Sequence, residues 1–569
     1  MSQSAMPHPL AERFPRTVAA FAAMGATEHL ERIAHLDAVW RSIRDVSAPP
    51  SALPRLHTLC EPMDLPAVEH SFDLIYAGGG LGLLHAAVMA QRYGYQVLVF
   101  DRSEVGCAHR EWNISQVELA QLVEVGFCSW DELADVVMAE YERGVVRFWA
   151  AEGRSSELWM RDVLNVALDA GALLRLARRK LLAAGGVVRD QRELQRVLVS
   201  SGELLQVVAE LRAADGSVER YGARLLLDGM GSTSPLAQQR FGGAPFAGVC
   251  PTVGTVASGF VAGSTPDTHD PSVGDILISV ADAQRGQQYL WEGFPGRGDD
   301  LTVYLFYYDT LAKRANPKWP QETPSLLELF EDYFALLPSY KQLGPSFRHQ
   351  KPVYGYIPAR HSLQRQEMPL LRGVLPIGDS AAQQSPLTFC GFGAHVRNLG
   401  RTTSLLDVAL RQDLLEPQHL RWISSYQANV ALHWVFSRFM QPWRSAGDVN
   451  RLQQVFLQVL NARGEAAAQR FFRDQMRWGD YHPIILGMFW RHPLIVVSAW
   501  QVLGAAGIRR WIGDYLRFCG AAAMAALGRR LGVAGRVALL RLAERAAPSW
   551  GLAVRARFAE WRVMGWLED

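Results

Sequence analysis

The sequence contains little cysteine and little lysine, and its cysteines lack the spacing typical of metal sites. Only six cysteines and five lysines occur in 569 residues, and no two cysteines form a Cys-x-x-Cys pair or a Cys/His pattern suited to zinc. The scattered cysteines therefore predict no metal site and favour a reducing, cytoplasmic compartment. The first residues also lack the basic-then-apolar order of a secretion signal, which supports the same prediction.

Long apolar runs and basic runs are also lacking. The longest apolar run, residues 493–508, is interrupted by Gln501, whereas a helix that spans a bilayer needs about 20 apolar residues. The net charge is +2, and no basic or aromatic-plus-basic module suggests nucleic-acid binding. We therefore expect a globular chain with no membrane-spanning helix and no nucleic-acid partner.

Arginine is abundant instead, above all near the C-terminus. Residues 491–569 contain twelve Arg and five acidic residues, interleaved with Trp, Phe and Leu. An amphipathic surface rich in Arg and Trp suits the headgroup region of an anionic membrane. We expect the C-terminal helices to contact the inner face of the membrane peripherally, the alternative being a helical domain with solvated Arg faces.

Residues 73–101 have the pattern of a βαβ unit that holds a dinucleotide. A short apolar run leads into a glycine turn, an amphipathic helix begins near Leu81, and a second apolar run ends at Asp101. Gly78 would allow a tight turn, and Gly80 would let the backbone approach a pyrophosphate at the N-terminus of the helix. Asp101 follows Gly78 by 23 residues, where a carboxylate can accept protons from the ribose hydroxyls.

This glycine pattern departs from the usual fingerprint at one position and continues into a polar segment. Leu83 occupies the third small position of Gly-x-Gly-x-x-Gly, and Gly82 comes one place early. A tight turn in another α/β sheet is the alternative, and flavin and nicotinamide both stay open on this pattern. In the polar segment 102–115, the side chains that could line the site are Arg110, Glu111, Trp112, Asn113 and Ser115. Alternatively, Asn113 or Ser115 could cap the next helix.

Two later turns also combine aspartate with glycine. A buried strand ends at Asp228, and a turn containing Gly231 leads into a helix near residue 234. Another strand ends at Asp379, and Gly391 opens a helix that runs to about residue 410. Because a helix N-terminus stabilises negative charge, this helix suits a reduced, anionic flavin ring.

Apolar spacing predicts the remaining elements. Residues 17–45 have helical spacing, which indicates a helical extension. It is expected to pack without a chemical role, the alternatives being that it docks on the flavin domain or covers a substrate mouth. Residues 157–197 suggest a long helix leading into a strand, and residues 213–217 a turn between two strands. From residue 252 to about 347, alternating aromatic-rich segments predict antiparallel strands of a substrate-covering sheet.

The order of the three turns resembles the FAD-dependent family that includes p-hydroxybenzoate hydroxylase-like monooxygenases, geranylgeranyl reductases and flavin halogenases. The spacing is similar as well, with 150 residues from Gly78 to Asp228 and 151 from Asp228 to Asp379. The resemblance implies FAD as the cofactor. Since no second glycine fingerprint for NADPH is present, it also implies an external electron donor.

The fold that the resemblance implies is α/β, with a Rossmann-like ββα three-layer FAD domain, an antiparallel-sheet substrate domain and a C-terminal helical domain. The expected divisions are 1–70 for the helical extension, 71–245 and 369–415 for the FAD domain, 246–368 for the substrate sheet, and 416–569 for the C-terminal helices. The residues expected to bind FAD are Gly78, Gly79, Gly80, Gly82, Asp101, Arg102, Arg110, Asp228, Gly231, Gly378, Asp379, Pro386, Gly391, Phe392 and Gly393.

Three shorter segments, residues 110–115, 290–295 and 384–393, look like parts of the CruA/CruP-type lycopene cyclases. The likeness covers roughly residues 70–410. It implies a redox-neutral reaction on an apolar polyene or isoprenoid, in which an acid protonates a terminal double bond and the resulting cation closes a ring. Reduced flavin would supply negative charge near that cation.

Glu292 is the expected catalytic acid. It lies between Trp291 and Phe294 on a predicted substrate-facing strand, and burial among aromatic residues would raise its pKa toward the range in which it can donate a proton. Aromatic faces would also stabilise a cation. The alternative is an exposed carboxylate beside the turn at Gly293.

Other functions of the same fold stay open. A monooxygenase or reductase acting on an aromatic or polyene lipid is the main alternative, followed by a non-enzymatic flavin- and pigment-binding protein. A halogenase is disfavoured because the chain has no lysine before Lys180 and no Trp-x-Trp-x-Ile-Pro segment. His109 and His395 could move protons near the flavin but are more typical of structural histidines, and Cys390 is more typical of a small buried residue than of a flavin attachment point.

Overall fold

Three β-sheets, flanked by helices, make up the part of the chain that the computed structural model describes, residues 9–44, 55–108, 110–151, 155–244, 246–310, 323–359, 370–382 and 391–567. The strands are β1 His57–Cys60, β2 His70–Ala77, β3 Val97–Phe100, β4 Glu111–Ile114, β5 Val137–Glu140, β6 Arg143–Phe148, β7 Ser156–Arg161, β8 Val166–Asp169, β9 Val187–Arg189, β10 Arg192–Ser200, β11 Val207–Ala213, β12 Val218–Asp228, β13 Gly248–Phe260, β14 Val273–Ile278, β15 Leu290–Pro295, β16 Leu301–Phe306, β17 Leu343–Ala359 and β18 Val374–Pro376.

The helices follow in the same chain order. They are α1 Pro15–Ala23, α2 Glu28–Arg44, α3 Gly82–Tyr93, α4 Gln116–Glu124, α5 Trp130–Ala134, α6 Ala170–Ala183, α7 Pro235–Arg240, α8 Leu326–Tyr340, α9 Gly391–Arg411, α10 Pro417–Leu420, α11 Trp434–Arg438, α12 Asp448–Ala462, α13 Glu465–Phe472, α14 Trp478–Arg491, α15 Ile495–Arg530, α16 Gly532–Ala546 and α17 Pro548–Val563. Short 3₁₀ turns cover residues 62–64, 378–381 and 430–432.

The first sheet has the strand order β1-β10-β11-β12-β2-β3-β9, and β18 pairs with β12. Strands β2, β3 and β9 are mutually parallel, and β12 runs parallel to both β2 and β18. All four residues of β3 and the last four of β2 are buried, as expected for apolar parallel strands covered on both faces. Helix α3 covers one face of the sheet and ends at Gly94, whose left-handed conformation is typical of a helix C-terminus.

The second sheet has the order β17-β13-β16-β15-β14-β6-β7 and is antiparallel except for the β14–β6 pair. On one face it packs against α8 and the N-terminal helices α1 and α2. Residues of its other face cluster with C-terminal helices such as α12 and α13. A small third sheet, β4-β8-β5, carries the segment that begins at Glu111.

Most predicted elements occur, but the long helix expected over 157–197 is wrong in its first part. Strands β7 and β8 occupy the beginning of this range, and α6 starts only at Ala170. Leu164, between the two strands, has a positive φ of 47°, which interrupts helical geometry. The apolar spacing fitted either structure, and pairing with β6 and β4 decided in favour of strands.

Domain limits stay a prediction, although two structural facts bear on them. Strands β6 and β7 lie within residues 71–245 but belong to the second sheet. Helix α17 packs against α9, and its buried Leu552 and Ala556 belong to the same apolar cluster as α3 and α9, on one side of the first sheet.

The described part of the chain contains no single helix that is long and apolar enough to cross a membrane. Helices α14 and α15 meet that criterion only as a pair, with a bend of 116° between them.

Candidate functional site

Three strand ends of the first sheet lie side by side, and each leads into one of the predicted turns. In the β12–β2 pair Asp228 is opposite Ala77, and in the β12–β18 pair it is opposite Pro376. A Cβ at Gly78 would lie 2.6 Å from the carbonyl oxygen of Gly229, and φ of Gly78 is +102°. The first two turns therefore touch through their backbones, and only glycine fits at position 78.

The first turn has an open side. A Cβ at Gly80 would meet no atom within 4 Å, and the N-cap residue of α3, Leu81, offers no side-chain cap to the first amides of the helix. At Gly82 the space is occupied instead, because a Cβ built there would lie 3.2 Å from Cδ1 of Ile377. Uncapped amides beside open space form a suitable place for an anion.

Asp101, the residue directly after β3, stabilises this turn through hydrogen bonds. One carboxylate oxygen accepts a hydrogen bond from the amide of Gly79 at 2.8 Å, and the other accepts from the amide and hydroxyl of Ser103 at 2.8 and 2.7 Å. Its expected bond to a ribose stays a prediction. Arg102, the next residue, is exposed.

The second turn encloses its own aspartate. Asp228 is 1% exposed and accepts hydrogen bonds from the Ser234 hydroxyl at 2.8 Å and the Met230 amide at 3.2 Å. Burial raises the pKa of Asp228 to about 6, opposed by these bonds and by the charge of Arg240. Gly231 has φ +81° and open space at its Cβ position. The glycine, rather than the aspartate, thus faces the space that a ligand could fill.

The third turn is tied to the second. The Ser380 hydroxyl donates to the carbonyl of Asp228, and the Arg240 guanidinium donates to the carbonyl of Ser380. Asp379 lines a cavity, and desolvation raises its pKa while the charge of Arg110 lowers it. Gly378 supplies the positive φ of 59° that this turn needs.

Helix α9 begins at Gly391, and its first residues face different ways. Gly391 and Phe392 line the cavity, and Gly391 has open space at its Cβ position. A Cβ at Gly393 would lie 2.8 Å from a carboxylate oxygen of Glu118, so packing alone accounts for that glycine. Pro386, Cys390 and His109 lie outside the described residues.

A cavity of about 420 Å³ joins the three turns to the second sheet. Its lining residues are Leu36, Val39, Trp40, Ile43, Leu81, Arg110, Glu111, Trp112, Asn113, Gly231, Ser232, Thr233, Thr252, Glu292, Phe294, Tyr304, Tyr354, Gly355, Tyr356, Ile357, Pro358, Ala359, Asp379, Gly391 and Phe392. This composition is mostly apolar and aromatic with a few polar groups, as is usual for small-molecule sites.

Glu292 lies in the wall of this cavity and not at an exposed turn. It is 6% exposed on β15 and accepts a hydrogen bond from Nδ2 of Asn113 at 2.9 Å. Burial raises the pKa of Glu292 to about 7, and the bond from Asn113 lowers it slightly. At neutral pH a substantial fraction of this carboxyl is therefore protonated and able to donate a proton.

The aromatic neighbours of Glu292 differ in part from those expected. Phe294 and Tyr304 share its face of the sheet, whereas Trp291 faces away and stacks on Tyr340 with ring centroids 4.8 Å apart. The expectation that Trp291 flanks the carboxyl was wrong because successive side chains of a strand point to opposite faces.

The segment expected to be a polar loop is partly strand β4. Trp112 stacks on Phe392 with centroids 4.6 Å apart, so β4 meets the start of α9 in the cavity. The Arg110 guanidinium packs over Gly355. A Cβ built on Gly355 would lie 3.1 Å from Cζ of Arg110. Ser115 does not line the cavity and caps α4 in a capping box with Glu118.

His395 is neutral at physiological pH. Burial lowers its pKa to about 4, and its Nε2 has no hydrogen-bond partner among the residues that the structure describes. A neutral imidazole can shuttle a proton only through a short-lived cation, so the structural interpretation is favoured.

Helix α2 supplies one wall of the cavity. Trp40 stacks on Tyr356 with centroids 5.0 Å apart, and Leu36, Val39 and Ile43 line the same wall. Their helical spacing predicts the helix, and covering a substrate mouth is one of the interpretations that the sequence leaves open for it. The spacing does not indicate which residues of the cavity the helix contacts.

Within the described ranges, no cluster of three or more His, Cys, Asp or Glu side chains could hold a metal ion.

Comparison with known proteins identifies the fold. No family model and no curated protein matches the sequence. Among solved structures, a geranylgeranyl bacteriochlorophyll reductase-like protein from Thermoplasma acidophilum aligns with a TM-score of 0.53 and 14% identity, covering 76% of this chain and 99% of that chain. The halogenase PltM aligns with a TM-score of 0.51 and 14% identity, covering 86% of this chain and 99% of that chain. The predicted fold class, an α/β domain with an added sheet and C-terminal helices, is confirmed.

Proposed function

We propose that this chain is a FAD-dependent enzyme that protonates an apolar polyene or isoprenoid and closes a ring without net redox change, as lycopene cyclases do. The observation that carries the proposal is the position of Glu292, a buried carboxyl with a pKa raised to about 7, in the wall of an aromatic cavity that the three glycine turns also line.

The residues present suit FAD. Open space at Gly80, Gly231 and Gly391 would admit a ligand against the backbone of all three turns. In this proposal the amides of α3 hold the pyrophosphate, Asp101 the ribose, and Asp379 the ribitol. Bound FAD would supply either electrons or, when reduced, a negative charge that stabilises a nearby cation.

Glu292 would act as the general acid. Its proton adds to a terminal double bond of the substrate, and an internal double bond then attacks the cation and closes the ring. Loss of a proton from a neighbouring carbon restores the double bond, and the Glu292 carboxylate can take that proton back. The product is an isomer of the substrate, so atoms and electrons balance without an oxidant.

Neighbouring groups support this chemistry. Asn113 holds one carboxyl oxygen of Glu292 through its amide, which leaves the other oxygen for the transferable proton. Tyr304 and Phe294 share the cavity, and their ring faces would stabilise the cation.

A redox reaction on the same kind of substrate is the second candidate, favoured by the likeness to a protein described as reductase-like. Glu292 would then supply a proton while an external donor supplies electrons through the cofactor. Hydroxylation, halogenation and simple pigment binding are further alternatives. Product mass separates them, because ring closure leaves it unchanged, whereas reduction adds hydrogen and oxygenation adds oxygen.

The test uses purified protein with FAD, a reductant and lycopene as the probe. We expect Glu292→Gln to retain the flavin absorbance spectrum and to lower turnover by about 10²–10⁴-fold, because an amide cannot donate the proton. The wild-type rate should fall as the pH rises above about 7, where Glu292 ionises. The matched control is Glu157→Gln on β7 of the same sheet, which does not line the cavity.

Two results would contradict the proposal. A Glu292→Gln variant that turns over substrate at the wild-type rate would show that Glu292 is not the general acid. A product heavier than its substrate would show a redox reaction instead of ring closure.

A cytoplasmic location at the inner membrane face remains part of the proposal, as does the external electron donor.

A further inference from the structure

The junction of α14 and α15 exposes an unusual concentration of large apolar side chains. We name residues 486–500 the apex. Seven large hydrophobic residues of the apex are exposed, namely Leu486, Phe489, Trp490, Leu494, Val496, Val497 and Trp500. Trp490 is 89% exposed, although a tryptophan side chain normally buries most of its surface.

The beginning of α15 is apolar on both of its faces. Its inner face packs on a cluster that includes Trp434 and Phe439, through Ile495, Ala499 and Leu503. Its outer face carries Val496, Val497 and Trp500 into solvent. Helices that are apolar all round normally lie in a protein core or in lipid. Packing within the protein accounts for the inner apolar residues of α15 and leaves the outer ones without a contact that would bury them.

The apex is too short to cross a bilayer. Gly504 has non-helical angles and interrupts α15, so the helix between the junction and this break covers only residues 495–503. At about 1.5 Å per residue it spans far less than the roughly 30 Å of a hydrocarbon core. Such a segment suits the interfacial zone of one leaflet.

The charges of the C-terminal helices are segregated between surface and interior. Two of the three described acidic residues of α15–α17 are buried: Asp514 is 3% exposed and Glu560 is fully buried. The third, Glu544, is partly exposed and pairs with Arg555. The exposed Arg side chains of α15 and α16 are Arg509, Arg517, Arg529, Arg530, Arg541 and Arg545, and Arg491 at the end of α14 is exposed as well. The described surface of these three helices is therefore mainly positive, since Glu544, its one partly exposed acid, is paired with Arg555.

We propose that the apex inserts into one leaflet of an anionic lipid bilayer and that the outward Arg side chains of α15 and α16 bind its headgroups. The apolar side chains supply burial in the acyl region, and the cations supply the preference for negative lipid. The bilayer is favoured over a second copy of the chain because residues 486–500 combine exposed Trp490 and Trp500 with Arg491 and contain no acidic residue. Two such positive surfaces would repel each other. This inference does not depend on the chemistry of Glu292.

The test is cosedimentation of the full-length protein with vesicles of phosphatidylcholine alone, or of equal parts phosphatidylcholine and phosphatidylglycerol, without substrate. We expect binding to the mixed vesicles and at least about tenfold weaker binding by the variant Trp490→Ser/Leu494→Ser/Trp500→Ser. The control variant Met63→Ser/Leu204→Ser/Trp130→Ser removes exposed apolar side chains from the N-terminal half of the chain, outside the apex. It should bind like the wild type.

A charge variant tests the second half of the proposal. Arg509→Gln/Arg530→Gln/Arg541→Gln should bind mixed vesicles more weakly, and added salt should weaken the wild type in the same way. Wild-type protein that stays in the supernatant would overturn the proposal, as would a serine variant that binds like the wild type. A wild-type dimer in light scattering that the serine substitutions dissociate would assign the apex to self-association instead.

Discussion

Glu292 combines a chemical advantage with a loss of stability. The fold moves its pKa from 4.5 to about 7 because the carboxyl is buried, and among the described residues Asn113 donates the hydrogen bond that opposes this shift. At about 1.4 kcal/mol per pKa unit, holding the ionised form in this place costs about 3 kcal/mol at pH 8. Side chains whose presence lowers stability are typical of functional positions.

The first prediction follows from the sign of this shift. A carboxyl whose pKa is raised by folding favours the folded state below its unfolded pKa, and this contribution is lost as the pH rises from about 4.5 to about 7. Glu292→Gln cannot ionise and keeps the acceptor for Asn113. We expect the variant to exceed the wild type in free energy of unfolding by up to about 3 kcal/mol at pH 8, with a smaller difference at pH 5.

Urea denaturation of both proteins at the two pH values measures this difference. A variant that is less stable than the wild type at pH 8 would show that Glu292 is not buried as an unfavourable charge. Glu157→Gln again serves as the comparison, since its carboxylate is partly exposed and pairs with Arg147.

At the scale of elements, the glycines of the first turn have different tasks. Gly78 adopts φ +102° and lies against the backbone of the second turn, whereas Gly80 borders open space. One glycine is therefore required by the fold itself, and the other leaves room for a ligand.

The second prediction compares substitutions at these two positions. Gly78→Ala should lower the free energy of unfolding of the FAD-free protein by about 1–3 kcal/mol, because a Cβ would meet Gly229 at 2.6 Å in a strained conformation. Gly80→Val should change that stability by no more than about 0.5 kcal/mol, yet weaken FAD binding at least tenfold.

Denaturation of the FAD-free proteins and flavin titration separate the two effects. Each variant controls the other. Equal loss of stability in both, or unchanged FAD affinity in Gly80→Val, would refute the division of tasks.

Elements also show where sequence patterns stopped being informative. The helix N-termini and turns at Gly78, Asp228 and Gly391 depend on local glycine chemistry, and their positions could be predicted. The segment 157–169 could not, because its apolar spacing satisfied a helix and a strand alike and only partner strands resolved it.

At the scale of the whole molecule, the cavity is assembled from distant parts of the chain. Helix α2 forms one wall, the second sheet another, and the three turns of the first sheet a third. A ligand that contacted all three turns would link segments more than 300 residues apart in sequence, since Asp379 follows Gly78 by 301 residues.

The third prediction concerns this linkage. If FAD binds the folded state alone, a concentration of about 100 times Kd should raise the free energy of unfolding by about 2.7 kcal/mol. Thermal unfolding followed by circular dichroism should show a higher Tm for the wild type and a smaller shift for Gly80→Val. An unchanged wild-type Tm at saturating FAD would contradict cofactor binding.

The sequence by itself determined the local geometry of this protein: the βαβ unit, the Asp-Gly turns, the capped helices and the Arg-rich C-terminus, all of which depend on residues close together in the chain. Tertiary structure alone decided which of these features meet. The pairing of β12 with β2 and β18 brings the turns together, the burial of Glu292 raises its pKa, and the packing of α2 closes the cavity. The physical reason is that backbone conformation depends on neighbouring residues, whereas burial and desolvation depend on segments that only the folded chain brings into contact.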